Sequence, residues 1–445
     1  MRVLLISANT ETMNMPTLPL GLASVAAATQ NGGNDVALLN LMFEGDPMLG
    51  IRNSIEDFRP NVIGISVRNI DDQNMPHPQF LLAPVKEIIA NCRSLSDAPI
   101  ILGGAGYSIF PESALRYLGA DMGIQGEGEV VFPAVVDRIG KGAQVSDVPG
   151  ICLLGQAVRV ADVGAVRPAA QSLRATGREP PLRYFEENLD DLLLPEPSLW
   201  IPSGAHNRKL WVPVQSRQGC PLDCAFCSTS AIEGKSVRSR SPGRIAKWLS
   251  DLRETGSRNF NFVDNTFNLP PTYAKDLCRQ VIQAELDLNL WCIIYPKWID
   301  TELVELMRQA GCRQISFGFE SGSDRMLRSL NKQFNRQEVS AVSKMFAEAG
   351  IERMGFLLLG GPGETKDSVE ESLSFADSLN LEALKITVGL RIYPLTPLAK
   401  TALAEGVIKA EDDLLFPRFY VRPELRDWLL QRVATYGASR PWVSG

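Results

Sequence analysis

Histidine is almost missing from this sequence: only His77 and His206 occur in 445 residues. Runs of Lys and Arg are missing too. With 45 Lys and Arg against 51 Asp and Glu, the formal net charge is −6, which argues against a nucleic-acid scaffold built on clustered cations. No window reaches the ~18 consecutive apolar residues that a membrane helix needs. The apolar run in Met1–Ser7 is too short for a signal peptide and reads as a first β-strand. Five cysteines, Cys92, Cys152, Cys278, Cys292 and Cys312, stand alone and are odd in number. They imply no disulfide framework, and the expected compartment is the reducing cytoplasm. There is no internal repeat and no low-complexity stretch. What remains, 45% hydrophobic and 22% charged residues, is ordinary for a soluble globular chain of two or three domains.

The other three cysteines are close together. Arg217-Gln218-Gly219-Cys220-Pro221-Leu222-Asp223-Cys224-Ala225-Phe226-Cys227 spaces them C-x3-C-x2-C, with an aromatic residue before the last. Thiolates at this spacing can turn toward one soft metal centre, an iron–sulfur cluster or zinc. A structural zinc site closes with a fourth Cys or His, and neither histidine lies in this loop. Three protein ligands and one vacancy suit a [4Fe–4S] cluster whose fourth iron is open to a small molecule. A zinc knot or three ordinary buried cysteines are the alternatives.

From residue 1 to about 145, strand-like runs alternate with helical stretches, the pattern of a parallel sheet covered on both faces. The expected strands are Arg2–Ser7, Asp35–Asn40, Asn61–Val67, Pro99–Gly103 and Met122–Gln125; expected helices include Leu18–Gln30, Pro78–Cys92 and Glu129–Ile139. A doubly wound Rossmann-like fold binds its ligand beyond the carboxyl ends of its strands. Those ends run into Arg68 and Asn69, into Gly103-Gly104-Ala105-Gly106, and into Gly126-Glu127-Gly128.

Residues 146–205 read as a linker. A hairpin is expected from Gly150–Leu154 and Ala157–Val160, and Pro168, Pro180, Pro181, Pro195, Pro197 and Pro202 break up any long element. The β/α rhythm resumes over 206–405. Six strands are expected: Trp211–Gln215, Asn259–Val263, Leu288–Ile294, Gln314–Phe319, Met354–Leu359 and Ala383–Leu390. Ser241-Pro242 and Asp300 read as helix starts. Six such units make an open, partial (β/α)6 barrel, and the carboxyl ends of its strands converge on one mouth. Residues 406–445 form a short C-terminal extension, with Phe416–Val421 available to close the open side.

At the cysteine loop the chain resembles the radical S-adenosylmethionine (SAM) superfamily. That resemblance implies a [4Fe–4S] cluster on Cys220, Cys224 and Cys227, with SAM chelating the open iron. It places SAM against Phe226, Asp264, Asn265, Glu320, Ser321 and the turn Gly360-Gly361-Pro362-Gly363. The succession Pro19-Leu20-Gly21-Leu22, Gly64-Ile65-Ser66, Leu102-Gly103-Gly104 and Gln125-Gly126-Glu127-Gly128-Glu129 resembles the cobalamin (B12)-binding domain fused ahead of many radical SAM enzymes. It implies cobalamin held near Arg68, Asn69, Gly103, Gly104, Gly126 and Glu127. The Asp-x-His-x-x-Gly motif of many cobalamin domains is absent, so cobalt is expected to lack a protein histidine.

The implied function is reductive cleavage of SAM to a 5′-deoxyadenosyl radical, hydrogen abstraction, and methyl transfer to an unactivated carbon or phosphorus centre. Cyclisation or rearrangement without methyl transfer, and a non-catalytic cobalamin- or cluster-binding sensor, are the alternatives. The expected partners are a small-molecule or lipid substrate and an external one-electron reductant of flavodoxin or ferredoxin type, with no nucleic acid and no transmembrane segment. The sequence singles out no catalytic side chain. With neither an RNA-binding barrel nor a second cysteine cluster, it departs from the methylthiotransferases, which share the two-domain layout.

Overall fold

A computed structural model describes residues 1–11, 16–154, 184–202 and 210–444. The second half of the expected hairpin, with Pro168, Pro180, Pro181 and His206, lies outside the described residues. The chain forms two compact units. One holds Met1–Asp72, Gln79–Ala205 and Ser228–Arg238; the other holds Gln73–Pro78, His206–Cys227 and Ser239–Gly445.

The first unit is a six-stranded sheet of β1 (Arg2–Ser7), β2 (Asp35–Asn40), β3 (Val62–Ser66), β4 (Ile100–Gly103), β5 (Met122–Ile124) and β6 (Ile151–Leu153). Its order is β2-β1-β3-β4-β5-β6, parallel except for β6, which runs antiparallel to β5. The stretch expected to start a hairpin therefore extends the sheet. Val3 to Ile6 are fully buried because helices cover both faces, which is why β1 reads as a continuous apolar run. Helix α1 (Leu20–Asn31) packs with α6 (Gly128–Gly140), and α2 (Pro47–Phe58) packs with α3 (Leu82–Leu95). Leu5, Leu22, Ala26, Phe132 and Val135 share the core beneath α1 and α6. Order reverses between β1 and β3, the kind of switch point beyond which ligands bind in open α/β sheets.

The second unit carries the barrel strands β7 (Val212–Val214), β8 (Asn259–Phe262), β9 (Asn289–Ile294), β10 (Cys312–Glu320), β11 (Glu352–Leu359) and β12 (Ala383–Val388), in sequence order and all parallel. A seventh parallel strand, β13 (Val443–Ser444), pairs with β12. The C-terminal extension thus lengthens the sheet, and Phe419–Tyr420 also pairs antiparallel with Leu390–Arg391. The buried Arg391 guanidinium secures this segment by donating to the carbonyls of Leu414 and Leu415.

Helices follow the strands: α8 (Pro242–Glu254), α9 (Pro271–Gln283), α10 (Thr301–Gln309), α11 (Asp324–Ser329), α12 (Arg336–Glu348) and α13 (Lys366–Ser378). Ser241 stands at the N-cap of α8 but its side chain makes no capping bond, so proline at the first helical position is the start signal there. Asp300 does cap α10, accepting from Leu303 N at 2.9 Å. No helix among the described residues is long and apolar enough to cross a membrane.

Replacing Asp300 with Ala is expected to destabilise the protein by about 1 kcal/mol, the usual cost of a lost cap. Asp300→Asn keeps an acceptor and should cost less. Urea denaturation followed by circular dichroism measures both; equal losses would show that the ion pair with Lys275, not the cap, is what matters.

Candidate active site

The cysteine loop leaves β7 over a buried charge. Asp264, just after β8, is 1% exposed. It accepts from Ser216 N at 2.7 Å, Ser216 Oγ at 2.6 Å and Arg217 N at 3.0 Å. The buried Arg217 guanidinium lies 3.5 Å from the same carboxylate. It also donates to the carbonyls of Phe267 and Leu269 and stands over the Phe267 and Tyr273 rings. Asp264 was expected to hold the SAM amino group. In this structure both its oxygens accept hydrogen bonds that turn the chain into the cysteine loop. Of that pair, half-buried Asn265 remains a candidate.

Gly219, at φ 85°, makes the turn. Farther along, Ala225 N donates to Leu330 O at 3.0 Å and Ala225 O accepts from Leu398 N at 2.9 Å. The loop is fastened by protein at its start and its middle. Cys220 is buried, while Cys224 and Cys227 are half-buried. Burial raises the Cys224 thiol above its usual pKa, with Lys332 opposing. Among the described residues no three His, Cys, Asp or Glu side chains gather as a single metal ion would require. A cubane takes one thiolate at each of three irons, so its ligands need not meet at one point.

Glu320 ends β10 with φ 58°, and the register with β11 shifts there. Its carboxylate folds back over Gly318, where Oε1 leaves no room for a Cβ. Lys332 Nζ donates to Oε1 at 3.0 Å, and both side chains are almost fully buried. The ammonium stands over the rings of Phe226, Tyr295 and Phe334, at 5.1, 5.8 and 5.8 Å. Burial by itself lowers the Lys332 pKa, but Glu320 and Cys224 outweigh it and hold the group above its ordinary value. Sequence reading missed Lys332. The only available signal was a lysine shortly after an acid at a strand end, and Asn331 at φ 57° folds it back.

Ser321 was also expected to meet SAM. It is 1% exposed, and its Oγ bonds Ser372 Oγ at 2.9 Å and accepts from Ser323 N at 3.1 Å. These bonds shape the turn. The Gly360–Gly363 turn is braced from within. Buried Glu364 accepts from Gly360 N at 3.0 Å and from Ser368 Oγ at 2.6 Å, and burial raises its pKa. Ser329 Oγ donates to Pro362 O and Arg325 to Gly363 O. The turn offers a ligand a shaped backbone more than free polar groups.

In the first unit, a Cβ at Gly104 (φ 101°) would sit 2.6 Å from Val67 O, and one at Gly106 would sit 2.8 Å from Arg68 O. These glycines let the β4 exit press on the loop that carries Arg68 and Asn69. Gly103 has open space beside it, with no atom nearer than Ile124 O at 4.0 Å. Buried Ser108 ties the two exits together: its Oγ donates to Gly104 O at 2.9 Å and accepts from Gly126 N at 3.0 Å. Arg68 reaches solvent with no hydrogen-bond or ion-pair partner among the described residues. Surrounding protein still desolvates it enough to lower its pKa.

Glu127 was expected beside cobalamin. It is 7% exposed, ion-paired with Arg238, and accepts from Glu186 N at 2.7 Å. Arg238 in turn stands over Phe185 and donates to the carbonyls of Glu186 and Glu233. Glu127 therefore clasps chain segments together. What points to a ligand is three buried amide atoms without hydrogen-bond partners, Asn9 Nδ2, Asn40 Nδ2 and Gln125 Oε1. Asn40 ends β2, and Asn9 and Gln125 stand beyond β1 and β5, all at the carboxyl edge of the sheet. A buried polar atom left unpaired is costly, and cobalamin, whose corrin periphery is rich in amides, could satisfy all three. The residues present fit both cofactors.

Two outcomes follow. Asp264→Asn puts an NH2 group where only donors point, and should leave reconstituted protein with clearly less iron and a weaker cluster absorption. Full iron content in a folded variant would remove Asp264 from its anchoring role. Burial, against the pull of Arg238, raises Glu127 from 4.5 to about 7. Folding then binds a proton that the unfolded chain releases, so stability falls as pH rises between those values and levels off above them. Glu127→Gln should flatten that slope in thermal unfolding measured across pH 4.5 to 7.

The Radical SAM superfamily model matches residues 214–376, and the B12 binding domain model matches residues 6–136. An uncharacterised methyltransferase of Pyrococcus horikoshii is 27% identical over 395 residues, 88% of this chain and 79% of that protein. Tryptophan 2-C-methyltransferase of Streptomyces laurentii is 23% identical, covering 89% and 74%. Cytidylyl-2-hydroxyethylphosphonate methyltransferase of Streptomyces wedmorensis is 24% identical, covering 89% and 80%. Among solved structures, the radical SAM methyltransferase TsrM of Kitasatospora setae, with tryptophan and a SAM analogue bound, superposes with a TM-score of 0.82 at 22% identity, over 98% of this chain and 88% of that one. That likeness is one of fold. The cysteine loop at a barrel mouth lies in the stretch matched by the Radical SAM superfamily model, and the doubly wound domain before it lies in the stretch matched by the B12 binding domain model, so this chain carries a radical SAM domain preceded by a B12-binding domain.

Proposed function

We propose that this enzyme is a cobalamin-dependent radical SAM methyltransferase acting on a carbon or phosphorus centre that is not itself nucleophilic. The observation that carries the reading is the pairing, in one chain, of a C-x3-C-x2-C loop at a barrel mouth with a doubly wound domain whose sheet edge presents unpaired amides. The methyltransferases among its relatives support methyl transfer. When bound, the [4Fe–4S] cluster, SAM and cobalamin supply one-electron cleavage of the sulfonium to a 5′-deoxyadenosyl radical and delivery of a methyl group.

The chain's own task is to bind, orient and exclude water. Cys220, Cys224 and Cys227 are proposed to hold the cluster. The Glu320–Lys332 pair offers opposite charges, 3.0 Å apart, and these two residues would hold the zwitterionic end of SAM. Phe226, Tyr295 and Phe334 keep that pair dry. Asn265 and the Gly360–Gly363 turn are assigned to the rest of SAM. Arg68 and Asn69 are assigned to the lower face of the corrin, and Gly103, Gly104 and Gly126 to its tail. In this division residues 1–145 form the cobalamin domain, 146–205 the strap, 206–405 the barrel and 406–445 the extension. A small-molecule or lipid substrate, a flavodoxin- or ferredoxin-type reductant and a cytoplasmic setting complete the proposal.

Anaerobically reconstituted protein given SAM, cobalamin and a strong reductant should form both 5′-deoxyadenosine and S-adenosylhomocysteine. The variant with all three loop cysteines replaced by Ala should form neither. Formation of neither product by cluster-loaded wild type would overturn the reading. Glu320→Gln should weaken SAM binding at least about tenfold, the scale of one lost charged hydrogen bond, at unchanged iron content.

A further inference from the structure

Two side chains beside the cysteine loop are held in a conformation that bulky residues avoid. Trp298, after β9, has φ 57°, and Leu395, after β12, has φ 63°. A left-handed backbone crowds any Cβ, and at a large side chain it marks strain. Both side chains are also exposed, at 45% and 55%. Among the described residues no other exposed large hydrophobic has a positive φ.

The surrounding structure imposes this strain. Buried Asn268 accepts from Tyr295 N and donates to the carbonyls of Tyr295 and Lys297, which fixes the chain entering Trp298. The Trp298 ring stacks on Tyr295, with centroids 5.9 Å apart and planes at 22°. Thr396 Oγ1 donates to Tyr393 O at 2.7 Å and accepts from Ala399 N at 3.2 Å. These bonds close the turn around Leu395 and start helix α14 (Pro397–Ala404). Neither strained side chain gains core burial in return. The fold presents two apolar groups outward, the pattern of an interface anchor.

Location gives the kind of partner. Lys332 Nζ stands 5.8 Å from the Tyr295 ring and 5.1 Å from Phe226. Contacts thus run from Trp298 through Tyr295 and Lys332 to Phe226, which lies between Cys224 and Cys227. Leu398, three residues past Leu395, donates its N–H to Ala225 O. Both strained residues therefore adjoin the part of the loop where Cys224 and Cys227 are half-buried. Electron transfer through protein weakens exponentially with distance, so a protein donor docks where the ligating loop is nearest solvent.

The charges agree. Ala225 N donates to Leu330 O; Arg328 lies two residues before Leu330, and Lys400 two residues past Leu398. Both are exposed, and neither side chain has a hydrogen-bond or ion-pair partner among the described residues. The acids nearby are engaged: Glu320 with Lys332, Asp324 with Arg336 N, and Asp223 of the loop also has a partner. The whole chain carries −6, so it repels an acidic protein in general and draws one to cations left unanswered.

Resting on the reading of Cys220, Cys224 and Cys227 as cluster ligands, we propose that Trp298 and Leu395 anchor a docking surface for an acidic one-electron donor protein. Arg328 and Lys400 form its charged rim. A flavodoxin hydroquinone (FlH−) docked there gives one electron to the oxidised cluster. The cluster passes from the 2+ to the 1+ state and the flavin becomes the neutral semiquinone (FlH•), with no proton moved.

The test is anaerobic calorimetric titration of oxidised flavodoxin into the full-length, cluster-loaded protein, with a bacterial ferredoxin as a second arm. Glycine suits a positive φ, so Trp298→Gly and Leu395→Gly remove the anchors without strain. Each should weaken donor binding about tenfold, the scale of an interface hot spot. Reversing both cations, Arg328→Glu with Lys400→Glu, should weaken binding and reduce its salt dependence. Cluster reduction by titanium(III) citrate, which needs no docking, should be unchanged in every variant. Binding of one donor and not the other identifies whether flavin or iron–sulfur proteins are accepted. Failure of both donors to bind wild type, or binding indifferent to these variants, overturns the proposal. It also falls if Trp298→Gly weakens SAM binding in place of donor binding, or if the variants split an oligomer. Donor binding that depends on these residues, in a protein that forms no S-adenosylhomocysteine, supports this proposal while the proposed function fails.

Discussion

A buried carboxylate decides where the cysteine loop begins. Asp264 takes three hydrogen bonds from Ser216 and Arg217 and lies beside the Arg217 guanidinium. Neither charge is stable in this interior alone, since leaving one partner of a buried pair uncompensated costs about 3–5 kcal/mol. Together they lock the end of β7 to the end of β8. From that point one positive-φ glycine and backbone bonds to Leu330 and Leu398 help to carry three thiols across the barrel mouth. The loop's shape is therefore written in protein contacts, and the cluster finds a frame already set.

The mouth treats its other charges in the same way. Lys332 is a dry ammonium among three aromatic rings, with Glu320 as counter-ion. Glu364 spends its carboxylate on the glycine turn that it adjoins. Ser321 and Ser372 bond each other beneath the strand end. The Glu320–Lys332 pair sets two opposite full charges beside Phe226 of the cysteine loop. On that ground it, and not the more conspicuous Asp264, is proposed to receive a zwitterion.

The fold was legible because its strands alternate or run apolar according to how many faces they bury, and both signals survive in the sequence. Strand positions were read to within a few residues, whereas β6 and β13 were not seen as sheet members: each is two or three residues long, and pairing alone defines it. The cysteine loop was legible because its ligands are local in sequence. The structural bonds of Asp264, Ser321 and Glu127 were not legible, for one shared reason. A polar residue at a strand end looks alike whether it faces a ligand or a buried partner, and the partners Arg217, Ser372 and Arg238 are visible only once the chain is folded. Lys332 was missed for the converse reason, since its neighbours come from three separate segments.

The central claim is that the cluster keeps one iron open and that SAM takes it. Electron paramagnetic resonance of the reduced, reconstituted protein, recorded while SAM is titrated in, addresses this directly. The account predicts that the reduced-cluster signal changes shape and saturates with SAM, and that the change is lost in Lys332→Met despite equal iron. A signal indifferent to SAM in the wild type would contradict it.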